Sequence, residues 1–283
     1  MTMPSVPSSG TVNTEGCNLH YWYQGAGPLL VFVPGGNGHG RQYNAIMGIL
    51  NKHYTVATFD RRQMSASTVQ GPQEEYNPVL QARDIIAVIR AIGFQKASIF
   101  ASSGGGIIAF QLTVSYPEVV EHLVSHEAPT TTLLSAAEST DLMDFFSSMR
   151  VIYRDHGPGP AMKAFVDKIM VGMDDGLPRL QPETHNVINQ LENESWMGSY
   201  CPDLVKIVDN GTSVAVGFGT KSGDAFYKRA ALEQAKRLQC EKVEFPGHHQ
   251  GFETQPTEFA LVLLALLKRM EDKRKAGLEG GRK

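Results

Sequence analysis

The run Ala101-Ser102-Ser103-Gly104-Gly105-Gly106 carries chemistry because of what flanks it. Before it, Ala97, Ile99, Phe100 and Ala101 read as a buried strand. After it, Ile107, Ile108, Ala109, Phe110 and Leu112 read as the packed side of a helix ending near Tyr116-Pro117. A strand that turns sharply into a helix around small-Xaa-Ser-Xaa-Gly lifts one hydroxyl above a sheet, as a nucleophile elbow does. The helix N-terminus behind it offers unpaired N–H groups to an oxyanion. With Ser103 as the nucleophile, Ala101 and Gly105 fill the two small positions. With Ser102, Phe100 would have to fill one, and its ring would clash with the helix. A phosphate-cradling loop is the plainer reading, but the glycines do not follow Gly-Xaa-Gly-Xaa-Xaa-Gly and no P-loop lysine follows.

A serine hydroxyl attacks only when an imidazole takes its proton and a carboxylate steadies the imidazolium. The chain order expected after an elbow is serine, acid, histidine. Late in the chain, Pro246-Gly247-His248-His249-Gln250 follows an apolar segment and precedes the closing helix, so either histidine could reach the elbow. Glu127 and Asp224 compete as the acid. Glu127 stands at the end of the strand through Ser125, where side chains are held most rigidly. Asp224 follows the next strand at an apparent helix start, where N-capping explains it. Glu127 is therefore preferred and Asp224 kept as the alternative. The loop Val33-Pro34-Gly35-Gly36-Asn37-Gly38 supplies a second N–H, which makes Gly36 and Gly104 the expected oxyanion donors. Asp60 and Arg61 read as residues that hold loops near the site.

The elements that must position these groups alternate. Leu29–Val33 and Tyr54–Phe59 are short, apolar and β-branched, as buried parallel strands are. Gln42–Leu50 has helical spacing, and Asn77-Pro78 opens a helix with Asn as N-cap and Pro at N1. Further strands are expected at His122–Ser125, Ser213–Phe218 and Lys242–Phe245, with helices at Ala225–Leu238 and Pro256–Met270. Asn18–Gln24 reads as an edge strand or hairpin arm. The pattern predicts an α/β fold: a doubly wound, mostly parallel sheet whose ligands bind beyond the carboxyl ends of its strands. Residues 18–129 and 211–270 form the core, and residues 1–17 and 271–283 are expected to be flexible.

Residues 130–210 break the alternation, with helical periodicity only, and read as a cap over the active end. Met143, Met149, Met162, Met170, Met173 and Met197 fall there with Trp196 and Phe145-Phe146. Thioethers and aromatics suit an apolar substrate pocket. Met149, Met170 and Trp196 are its expected walls.

Composition narrows the field. The chain has 283 residues, 42% hydrophobic and 19% charged, with a net charge of −3. That balance suits a globular domain and gives no electrostatic reason to expect nucleic acid. Cys17, Cys201 and Cys240 are scattered and form no metal-type pair, so no metal or other cofactor is expected. The first ten residues lack a signal-peptide pattern, and the apolar run Phe259–Leu267 is too short to span a membrane. A cytoplasmic protein is the resulting expectation, with a homodimer left open.

The order of elements, the Pro34-Gly35-Gly36 loop, Asp60-Arg61-Arg62, the elbow and Pro246-Gly247-His248-His249 together resemble the α/β-hydrolase superfamily over nearly the whole chain. The run His126-Glu127-Ala128-Pro129 is similar to a subgroup that includes fungal zearalenone lactonohydrolases. Departures are Ala101 at the first elbow position and Gln63-Met64 where a glycine usually follows Asp-Arg-Arg. The resemblance implies Ser103, Glu127 and His249 as a triad, Gly36 and Gly104 as oxyanion donors, and a small apolar ester or lactone as substrate. Two rivals remain: a carbon–carbon bond hydrolase or lyase using His249 without an acyl-Ser103, and a non-catalytic ligand receptor.

Overall fold

The computed structural model describes residues 7–170, 176–177 and 179–280. In chain order the first half runs β1 (Ser8–Thr14), β2 (Cys17–Gln24), β3 (Leu29–Val33), α1 (Asn44–Leu50), β4 (Thr55–Phe59), β5 (Thr68–Val69), α2 (Pro78–Ala91), β6 (Ala97–Ser102), α3 (Gly104–Ser115) and β7 (Val120–His126). Then come α4 (Ala136–His156), α5 (Pro158–Ile169), α6 (Thr184–Asn193), α7 (Leu204–Asp209), β8 (Ser213–Gly219), α8 (Phe226–Leu238), β9 (Glu241–Phe245), α9 (Gly251–Thr254) and α10 (Pro256–Gly280). The sheet order is β1-β2-β4-β3-β6-β7-β8-β9, with β5 beside β2. From β4 to β9 neighbouring strands are parallel, and β2 joins β1 and β4 antiparallel.

The strand pleat divides the core in two. Leu30, Phe32 and Phe100 pack with Ile46, Met47 and Leu50 of α1 and with Phe259 and Leu263 of α10. Val31, Val33, Ile99 and Ala101 face the other layer, against Ile85 and Ile89 of α2, Ile108 of α3 and Ala231 of α8. Asn77 caps α2 as expected, accepting from the N–H groups of Val79 and Leu80. The carboxyl ends of the parallel strands β3, β6, β7 and β8 lie along one edge of the sheet.

Both termini depart from expectation. Ser8–Thr14 is not a loose leader: it pairs with β2 through a two-residue turn, Glu15-Gly16, with φ of 42° and 78°. Positive φ at both positions is the type I′ geometry of tight hairpins, and Glu is an unusual first residue for it. Arg62 secures the turn, donating to the carbonyls of Thr14 and Glu15 while forking onto Asp84. At the other end α10 continues past Met270 to Gly280.

Helices α4, α5 and α6 lie in the expected cap segment. Helix α7 does not behave as cap, because Leu204 and Ile207 join the core layer of α3 and α8. The cap is docked through α6. Asn186 donates to the Asn37 carbonyl (2.8 Å) and the Ser65 hydroxyl (2.9 Å), and accepts from the Ser65 N–H (2.7 Å). Glu194, the C-cap of α6, receives a fork from Arg61 (2.9 and 2.6 Å), and both side chains are buried. Arg61 Nε meanwhile donates to the Gly35 carbonyl at 3.0 Å.

Removing one partner of a buried ion pair leaves an uncompensated charge. Arg61→Met and Glu194→Leu should each lower stability by about 3–5 kcal/mol in urea unfolding, with most of the loss recovered in the double variant. Additive losses would remove the pair from this role. A second expectation concerns His126, whose ring in β7 lies among Phe100, Phe245, Phe252 and Phe259 with neither nitrogen hydrogen-bonded among the described residues. Burial pushes its pKa down to about 4 from 6.5, against the pull of the Glu127 charge. The unfolded chain then binds the proton more tightly, so stability present above pH 6.5 drains away as the pH falls toward 4. His126→Phe should flatten that slope in pH-dependent unfolding; an unchanged slope would assign it to His39 and His122, which burial also lowers.

Candidate active site

Strand β6 ends at Ser102 and α3 begins at Gly104, so Ser103 alone makes the turn. Its φ of 53° and ψ of −132° lie where a side chain is seldom tolerated, and such strain persists only where neighbours fix it. The Ser103 N–H donates to the His126 carbonyl at 2.9 Å, tying the elbow to β7. Close approach explains the glycines around it. A Cβ on Gly35 would sit 2.7 Å from that of Ser103, and one on Gly105 would sit 2.5 Å from the Val33 carbonyl. Ala101 fits where glycine is usual. Ser102, the rival nucleophile, is buried and hydrogen-bonded to Tyr43 (2.8 Å), whose hydroxyl donates to the Val33 carbonyl.

Glu127 follows β7 directly, also at positive φ (51°), with its N–H on the Gly217 carbonyl. One carboxylate oxygen accepts from the Gly219 N–H at 2.9 Å, and the other lies 2.8 Å from His249 Nδ1. Burial pushes the Glu127 carboxyl up, but the His249 hydrogen bond and the neighbouring His126 outweigh it and hold the pKa at about 2. Glu127 is thus an anion at any working pH, and the sign of its shift favours Nδ1–H on His249. The Tyr227 ring covers the imidazole, with centroids 4.3 Å apart. His248 is engaged elsewhere, 2.6 Å from Arg179. Asp224 does not approach this group. Its side chain is 90% exposed and pairs with Arg229, and the N-cap of α8 is Ala225 rather than Asp224.

Ser103, His249 and Gly36 line one cavity of about 80 Å³ beneath the cap. Gly104 opens α3, so its N–H has no helical acceptor. Met149 and Met170 line this cavity, and so do Met162, Met197 and Phe146. Met143 lies instead against the Thr131 hydroxyl, and Met173 falls outside the described residues. Trp196 is a correction: it is not in the wall but packs edge-on against Tyr76 at 5.5 Å. Adjacent residues of a tight helical turn point about 120° apart, so placing Met197 inside turns Trp196 away.

Two contributors escaped the sequence reading: Gly219 holds the Glu127 carboxylate and Tyr227 covers the His249 ring, while Arg61, expected to hold loops near the site, joins the Gly35 loop to α6. The glycines of Gly217-Phe218-Gly219 were the one local hint, since they end a buried strand beside the acid.

A family model described as alpha/beta hydrolase fold matches residues 28–163. Hydrolase YraK of Bacillus subtilis (strain 168), itself uncharacterized, is 27% identical over 271 residues, covering 93% of this chain and 97% of its own. A zearalenone hydrolase of Cladophialophora bantiana is 25% identical over 268 residues, covering 89% and 93%. Among solved structures, a thermophilic esterase from Thermogutta terrifontis superposes with a TM-score of 0.74 at 16% identity, over 94% of this chain and 99% of that one. The enol-lactonase of Burkholderia xenovorans LB400 gives 0.72 at 14% identity, over 92% and 100%. With a sharp strand-to-helix turn at Ser103 after β6 and a buried carboxylate–histidine pair beside it, the chain has the α/β-hydrolase fold that this family model describes.

Proposed function

We propose that this hydrolase cleaves a small apolar ester or lactone through an acyl-enzyme on Ser103. The observation that carries the reading is the buried Glu127–His249 contact of 2.8 Å, on a cavity that His249 shares with Ser103. With Nδ1–H given to Glu127, the other ring nitrogen of His249 is the base. It takes the Ser103 proton as the oxygen attacks the carbonyl, and the N–H groups of Gly36 and Gly104 hold the oxyanion. Losing one such donor costs about 3–4 kcal/mol of transition-state stabilisation. His249 then protonates the departing alcohol oxygen, and water releases the acyl group by the same route in reverse. A lactone would leave as one open hydroxy acid.

The apolar walls support an apolar substrate, and the names borne by relatives and neighbours support ester and lactone bonds. Every group invoked comes from one chain. No described helix is long and apolar enough to cross a membrane.

Fluorophosphonate labelling followed by peptide mass spectrometry tests the nucleophile. A single adduct on Ser103, lost in His249→Ala, is expected, and Ser103→Ala and His249→Ala should each cut ester turnover by at least about 10³-fold. A folded protein that takes no label would move the reading to a lyase or a receptor. The acid is tested by comparison: Glu127→Gln should lower kcat by about 10³–10⁴-fold, while Asp224→Asn leaves it within about twofold. The reverse ranking would transfer the role to Asp224.

A further inference from the structure

A second cavity, of about 60 Å³, also opens onto Ser103 and His249. It shares Phe165 and Met170 with the first but adds further amides. Asn37, Gln42, Gln190 and Gln250 bring four uncharged amides to it, and among the described residues no Lys, Arg, Asp or Glu lines it. Gln42 already donates to the His39 carbonyl. Gln190 lines both cavities, and among the described residues its side-chain amide makes no hydrogen bond.

The placement of Gln190 is fixed rather than incidental. It lies on α6 between the two anchors of that helix, Asn186 on Asn37 and Ser65, and Glu194 on Arg61. A functional group carried by a docked helix holds its geometry better than one on a loop. Its amide nitrogen lies 2.8 Å from where a Cβ on Gly36 would stand, so it rests against the backbone of the oxyanion loop. A donor that close to Gly36 reaches atoms next to the scissile carbonyl.

We propose that Gln190 is a specificity-determining residue. Its amide donates to an uncharged acceptor oxygen, whether hydroxyl, ether or carbonyl, carried by the substrate within about three bonds of the scissile carbonyl. This rests on the hydrolase reading above and narrows its substrate class: apolar on one side, with a neutral oxygen on the other. A carboxylate or phosphate at that point would meet amides and no cation.

The test compares the full chain with Gln190→Leu and Gln190→Glu on two matched pairs of esters. One pair is 4-nitrophenyl methoxyacetate and 4-nitrophenyl butanoate, which exchange an ether oxygen for a methylene in the acyl group. The other is 2-methoxyethyl butanoate and butyl butanoate, which place the oxygen on the alcohol side. One neutral hydrogen bond corresponds to about a tenfold change. Both variants should lose about tenfold in kcat/KM on the ether member of at least one pair, and less than about twofold on its alkyl partner. Equal losses on both members of each pair, or no loss on any, would overturn the proposal. Fluorophosphonate labelling of Ser103 is read on all three proteins. If the wild type takes no label and turns over no ester, the hydrolase reading itself fails. If it labels and turns over without discrimination, only the role of Gln190 fails.

Discussion

The Arg61 guanidinium is 1% exposed and spends its donors on three separate parts of the molecule: the Gly35 carbonyl, Gln81 on α2, and Glu194 at the end of α6. Burying a cation and a carboxylate is costly, and their attraction offsets that cost only when the geometry is good and the remaining donors are satisfied. Arginine suits the task because its planar fork can bind a carboxylate with two nitrogens and still donate sideways. A lysine could hold Glu194 or Gly35, not both in fixed geometry. The result is one rigid node in which the loop that presents Gly36 and the helix that presents Gln190 share an anchor. The seating of α6 and the position of the Gly35-Gly36 loop are thereby tied to one side chain.

Six described residues other than glycine have positive φ, and Ser103 and Glu127 are the two of them that stand at the candidate site. Each such conformation costs on the order of 1–3 kcal/mol. The two are cross-braced. The Ser103 N–H binds the carbonyl of His126, and the next N–H, that of Glu127, binds Gly217 on the following strand. Ser103 and Glu127 therefore follow adjacent parallel strands whose ends are tied laterally. Histidine comes from the loop after β9, two strands further on, and its position is set by Glu127 and Tyr227 rather than by a strain of its own.

What the amino-acid order disclosed, and what it hid, follows from the range of the interactions. The strand–turn–helix around Ser103 is local, because small residues are required within two positions of the serine. The parallel strands were legible for the same reason, being short runs buried on both faces. Glu127 could be singled out because it ends such a strand. The Glu15-Gly16 hairpin was not legible, since its left-handed geometry falls on a glutamate and is upheld by Arg62, far along the chain. Glu194 and Gln190 drew no reading, since what marks them out is Arg61 and Gly36, more than a hundred residues away in the chain. Trp196 was misread because which residue of a tight turn faces inward depends on the surface beneath it.

The cap leaves the core between Glu127 and the turn Thr131–Leu133, and there α8 intervenes: Gln234 donates to the Ala128 carbonyl and the Thr130 hydroxyl. On the return side, Asn210 fastens the chain to the Thr113 carbonyl of α3 before β8 begins. Both seams are thus clamped by the core rather than by the cap, which makes the cap a transplantable module. A foreign lid spliced between Thr131 and Asp203, with α7 kept in the core, would leave the strands, Ser103 and Glu127 in register. It would need to bring its own carboxylate for Arg61 and an amide for Ser65, because those two sockets belong to the core and would otherwise stand open.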